Sequence, residues 1–75
     1  MIYLARINIG AGGTWQKDAD KDTAIRKCVQ RAKEDWSGLY DLDAAQKAGE
    51  LFVDVYKDGG TNSFDDDEYL ETVIA

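Results

Sequence analysis

The chain has no histidine and no proline, and only one cysteine and one methionine, in 75 residues. Without histidine, neither a Ser–His nor a Cys–His pair can be assembled, so the common routes to an activated nucleophile are closed. The lone Cys28 can close no internal disulfide, and with no Cys/His cluster there is no ligand set for zinc. A single thiol suits a reducing compartment, which makes the cytoplasm the expected location. No apolar run approaches the roughly 18–20 residues that a membrane-crossing helix needs. The stretch 1–6 lacks the basic region and cleavage site of a signal peptide and reads as a strand. A chain this short has little wall with which to enclose a cleft, so paired carboxylates have no means of raising one pKa for glycoside hydrolysis. The expectation is a single domain over residues 1–75 that is not an enzyme and carries no cofactor.

What is present is charge, unevenly placed. Nine Lys and Arg stand against fifteen Asp and Glu, a formal charge of −6. Residues 1–33 hold seven bases and three acids, whereas residues 34–75 hold two bases and twelve acids. Hydrophobic residues at 44% and charged residues at 32% make a globular mixture rather than a disordered one. A core of this size supplies only about 3–5 kcal/mol, so a homodimer that adds core stays open.

The pattern predicts an α+β domain. Residues 2–9 form a β-branched, aromatic strand in which Ile7 and Ile9 alternate with Arg6 and Asn8. The run Gly10-Ala11-Gly12-Gly13 turns the chain, and residues 14–17 return as a short strand. Asp20 or Asp22 caps a helix that runs to about Trp36, with Ile25, Cys28, Val29, Ala32 and Trp36 on one stripe. Ser37-Gly38 ends it. A short second helix is expected with Asp43 as its cap and Gly49 beyond its end. Residues 51–57 alternate as a half-buried strand, with Leu51, Val53 and Val55 facing one way and Phe52, Asp54 and Tyr56 the other. A turn at 58–62 and an acidic connection at 63–68 lead to a last strand at 69–74, preferred over a helix because Thr72, Val73 and Ile74 are β-branched. The sum is a three- or four-stranded, mainly antiparallel sheet with one main amphipathic helix on one face and a short second helix.

Three motifs point to chemistry and fail on their details. Asp18, Asp20 and Asp22 alternate as in a calcium loop, but Thr23 sits where that loop needs Gly and Val29 where it needs a bidentate Glu. No metal site is expected there, nor in the adjacent run Asp65-Asp66-Asp67-Glu68, whose carboxylates converge only if the loop curls. The glycines at 10–13 are followed by Trp15 where a dinucleotide loop wants Gly, and no Gly-Lys-Ser/Thr is present. Cys28 lies on the apolar stripe and is expected to be inert packing.

Two surfaces remain as binding candidates. The acidic one comprises Asp54, Asp58, Asp65, Asp66, Asp67, Glu68 and Glu71, extended by Asp41, Asp43 and Glu50. Tyr56 and Tyr69, with Trp36, Tyr40 and Phe64, offer aromatic anchors at its rim. Carboxylates on a rigid fold neutralise the same lysines and arginines that phosphates do, so the expected partner is a basic, nucleic-acid-handling protein or ribonucleoprotein. The other surface is the helix face with Arg26, Lys27, Arg31 and Lys33, which can contact phosphate. The overall negative charge opposes that, and direct nucleic-acid binding is the alternative rather than the expectation.

In size, charge and α+β plan over its whole length, the chain resembles the small acidic anti-CRISPR proteins of phages. That resemblance implies a non-catalytic block of a CRISPR effector complex, by nucleic-acid mimicry, in a host cytoplasm. Residues 1–36 also resemble the N-terminal unit of HicB-type antitoxins: a strand, a Gly-rich turn, Trp15, then Asp22-Thr23-Ala24-Ile25 opening a helix. That second resemblance implies neutralisation of a small basic toxin.

Overall fold

Alternation along the strands sets the architecture. In a computed structural model, which describes residues 1–10, 12–61 and 64–75, four strands and two helices follow in the order β1 (Tyr3–Ile9), β2 (Gly12–Asp18), α1 (Lys21–Asp35), α2 (Leu42–Lys47), β3 (Phe52–Lys57) and β4 (Glu68–Ile74). A single 3-10 turn, Phe64–Asp66, precedes β4. Ala11 of the first glycine turn, and Asn62 and Ser63 of the second turn and acidic connection, lie outside the described residues. The strands form one antiparallel sheet in the order β2-β1-β3-β4. The expected α+β plan is therefore the observed one, with the full complement of four strands and with residues 68–74 as strand.

Residues opposite each other in the ladders share a face. Tyr3, Ala5, Ile7 and Ile9 of β1 share theirs with Val53 and Val55 of β3 and with Thr14 and Gln16 of β2. On this face Ala5, Ile7, Ile9, Leu51 and Val53 meet Ala24, Cys28, Val29 and Ala32 of α1 and Leu42 of α2. Ala24 joins the predicted stripe because it stands four residues before Cys28.

The helix ends explain where the helices sit. Asp20 caps α1: its carboxylate accepts from the Thr23 N–H at 2.9 Å and from the Thr23 hydroxyl at 2.6 Å. Asp41, not Asp43, caps α2, accepting from the Ala44 N–H at 3.0 Å. Starting the helix two residues earlier is what points Leu42 into the core, and it frees Asp43 to pair with Lys33 at 2.7 Å. Strand β2 is longer than residues 14–17, because the glycines at 12 and 13 continue the pairing to Ile9 and Asn8.

Helix α1 is set off-centre. It packs on β2 and β1, reaches β3 only marginally, and leaves β4 nearly bare. Six of the seven β4 residues are exposed and the seventh, Val73, is half-buried. Among the described residues no helix covers the opposite face of the sheet. Leu4 is nonetheless fully buried on that open face. Lys17 and Tyr56 flank it across the ladders, and the Lys17–Asp58 ion pair at 2.9 Å reaches across β1 on that side.

Candidate partner-binding surface

The connection from β3 to β4 is folded back on itself by hydrogen bonds. The Asp58 N–H donates to the Ile2 carbonyl at 2.9 Å and extends the β1–β3 pairing. The Gly59 N–H donates to Asp67 Oδ1 at 2.8 Å, and the Thr61 hydroxyl to Asp66 Oδ2 at 2.7 Å. These bonds bring Asp58, Asp66 and Asp67 together with Asp65 beside Glu68, the first residue of β4. Tyr3 stands opposite both Asp18 and Lys57, so the end of β2 and the start of α1 lie at this same end of the sheet. Asp18 and the cap Asp20 thus add to the acidity.

The local lysines are engaged within the cluster. Lys17 binds Asp58, Lys27 binds Asp18 at 3.3 Å, and Lys57 stands opposite Glu68. The Lys17 ammonium hydrogen-bonded to Asp58 holds that carboxyl below its ordinary value. The Asp20 N–H, and then Lys27, do the same for Asp18. The Thr23 hydroxyl and N–H do it for Asp20. Each bond favours the charged form, so these groups stay ionised at neutral pH. Because Asp18 and Asp20 spend their oxygens on a turn and a cap, they do not converge as cation ligands. Among the described residues no three carboxylate or thiol side chains gather where a cation would sit.

Beside this end, the open face of the sheet carries aromatic residues. Tyr56 and Tyr69 stack edge to face with centroids 5.6 Å apart. Trp15, Phe52 and Ile74 are exposed on the same face, and Phe52 stands opposite Ile74. Asp54 lies among them with both oxygens engaged. Its carboxylate accepts from the Thr72 hydroxyl at 2.7 Å and from the Asn8 amide at 3.3 Å. Since the Thr72 proton is spent on Asp54, the 2.7 Å contact between Tyr69 and Thr72 has the Tyr69 hydroxyl as donor. The chain Tyr69–Thr72–Asp54–Asn8 crosses three strands and fixes the Tyr69 ring.

The predicted acidic surface is therefore divided rather than continuous. Asp58, Asp65, Asp66, Asp67 and Glu68 share the acidic end, while Asp54, Tyr56 and Tyr69 lie on the adjoining open face. Glu71 points to the helix side, where Lys21 holds it at 3.3 Å. Asp41, Asp43 and Glu50 lie at the opposite end of the sheet, near the Ile9 end of β1. Trp36 and Tyr40 are there too, edge to face at 5.9 Å, with the Trp36 indole donating to Thr14 Oγ1 at 3.2 Å. Three of the four basic helix residues are engaged by the protein's own acids: Lys27 by Asp18, Arg31 by Asp35 at 3.0 Å, and Lys33 by Asp43. Arg26 is exposed. Sequence reasoning set Phe52 on the face of Asp54 and Tyr56, as observed, but named neither it nor Trp15 as a binding residue. Phe52 was legible in the alternation of 51–57, and Trp15 in its position opposite Arg6 had the hairpin register been fixed. No protein-family model matches this chain, and no curated protein or solved structure matches it.

Proposed function

We propose that this protein is a non-catalytic binding protein that occupies a basic, nucleic-acid-handling partner through the acidic end of its sheet and the tyrosine pair beside it. The observation that carries this reading is the folding back of the β3–β4 connection, which sets Asp58, Asp65, Asp66, Asp67 and Glu68 together next to Tyr56 and Tyr69. Carboxylates held this way attract the lysines and arginines of a nucleic-acid groove, and the aromatic pair adds an apolar anchor. An anti-CRISPR-like block of a CRISPR effector complex is the form of inhibition that fits the resemblance noted above; an antitoxin-like neutralisation of a basic toxin uses the same surface. The basic helix face supports direct nucleic-acid binding less well, because Lys27, Arg31 and Lys33 already face carboxylates of the same chain.

The test is to capture the partner from the native host cell with the unmodified protein and with Asp65, Asp66 and Asp67 all changed to Lys. The expected outcome is loss of capture by the reversed variant, weakening of the complex by added salt, and displacement by DNA. A complex indifferent to charge reversal and to salt rejects the proposal. A low-salt titration with duplex DNA decides the alternative, which requires binding that is lost with Arg26→Ala and Arg31→Ala.

A further inference from the structure

The barest element of the fold is β4, and its free edge has a specific hydrogen-bonding phase. The Ala75 N–H donates to the Leu51 carbonyl at 2.8 Å, and the β3–β4 register runs on from there. In an antiparallel ladder the residues that bond to a given neighbour alternate. Ala75, Val73 and Glu71 therefore turn their N–H and C=O groups toward β3. Thr72 and Ile74 turn theirs outward, where the sheet has no further strand among the described residues. The other edge is different: α1 covers β2, and the Lys17 carbonyl of β2 already accepts from the Lys27 ammonium at 3.3 Å.

Edge strands are commonly protected by Pro, by Lys, by a bulge or by a cover. Strand β4 has neither Pro nor Lys, α1 does not reach over it, and the irregularity in its ladder falls between Tyr69 and Glu71, which leaves the stretch from Glu71 to Ile74 regular. Its apolar side chains are open instead: Leu70 is 41% and Ile74 62% exposed. Glu71, the one charge in its middle, is drawn aside by Lys21.

We infer that β4 pairs antiparallel with β4 of a second copy of this chain, about a twofold axis at Thr72, to make one continuous eight-stranded sheet. The register follows from phase and charge. Centring on Thr72 makes Thr72 and its counterpart a hydrogen-bonded pair and uses both outward groups of each. It sets Glu71 opposite Val73 and Leu70 opposite Ile74, so no like charges stand directly opposite each other, and each Glu71 keeps Lys21 as its counter-charge. Centring on Glu71 faces two carboxylates and uses groups that already bond to β3. With the axis at Thr72, the two Glu68 residues are eight positions apart, or about 26 Å at the usual strand rise. This exceeds the ~8 Å over which charges act at physiological salt, so the acidic ends do not oppose pairing. The acidic connection stays outside the new contact, whereas Thr72, whose hydroxyl fixes Tyr69, lies at its centre, so pairing and partner binding meet at the tyrosine pair.

Sedimentation over a range of concentrations reads the result. The unmodified protein is expected to pass from monomer to dimer. Thr72→Pro removes an outward N–H that β3 does not use, at an edge where Pro is tolerated. It should keep the circular dichroism of the native protein while weakening association about tenfold or more, the loss expected from a pair of inter-strand hydrogen bonds. Ile74→Lys, at a side chain already in solvent, should weaken it too and guards against a misfolded proline variant. Thr72→Cys should form an inter-chain disulfide on oxidation, since a hydrogen-bonded pair sets Cα atoms about 5.5 Å apart, whereas Glu68→Cys should not. A protein that stays monomeric at every concentration overturns the inference and leaves the edge to an extended segment of another protein. A dimer unaffected by Thr72→Pro and Ile74→Lys, without the Thr72→Cys cross-link, overturns it as well and moves the contact to the open face.

Discussion

A side chain at Gly59 would run into the Asp66 carbonyl, and the Gly59 N–H is the donor that holds Asp67. Gly59→Ala is expected to lose roughly 1–3 kcal/mol of stability by overpacking, measured by urea unfolding, and to spread the acidic connection. Asp58 gives a pH signature. Its pKa is lower in the folded chain than its ordinary value of 3.8, so the stability it contributes is fully present above that value. That part is lost as the pH falls below 3.8 and through the folded value. Asp58→Asn should flatten the acid limb of a stability–pH curve, read by thermal unfolding. Cys28 behaves as packing: burial pushes its thiol up to about 11, and its Sγ lies 3.4 Å from the Thr14 carbonyl. A thiol reagent near neutral pH should label it only after unfolding. This fate was legible from its place on the apolar stripe. The cap of α2 was not, because Asp41 and Asp43 both satisfy a cap pattern and only the burial of Leu42 chooses between them.

At the scale of elements, α1 was the most legible feature, since Cys28, Val29 and Ala32 repeat on one face and Asp20 supplies the missing acceptor. Asp20→Ala is expected to cost about 1 kcal/mol, read as a shift in the urea midpoint without loss of helix content at low denaturant. Strand β3 was legible for a similar reason, with Leu51, Val53 and Val55 buried and Phe52 and Asp54 turned away. Strand β4 showed less, because neither of its faces is covered. Tyr69, Leu70 and Ile74 are all exposed, and a register shift in the ladder between Val55 and Tyr56 breaks the simple alternation. The acidic residues were legible as a set but not as a site. Their grouping depends on the backbone bond from Gly59 to Asp67 and on the Lys17–Asp58 ion pair, while the Lys21–Glu71 pair draws Glu71 away from it; both ion pairs link positions far apart in sequence.

For the molecule as a whole, the sequence implied one helix against one sheet but not which strands it would cover. That depends on the strand order β2-β1-β3-β4, which places the last strand beyond the reach of α1. Nor did the charge asymmetry along the chain become one in space. Lys27 and Lys33 of the basic half meet acids at opposite ends of the fold, Asp18 and Asp43. The off-centre helix also grades the fold's resistance to opening. The hairpin β1–β2 and α1 form a locally connected unit that closes with short loops, whereas β4 is held almost entirely by β3. In the monomer, backbone amides of Val73 and Ala75 should take up solvent deuterium well before those of Ala5 and Ile7, with unravelling starting at the last strand and stopping at the third.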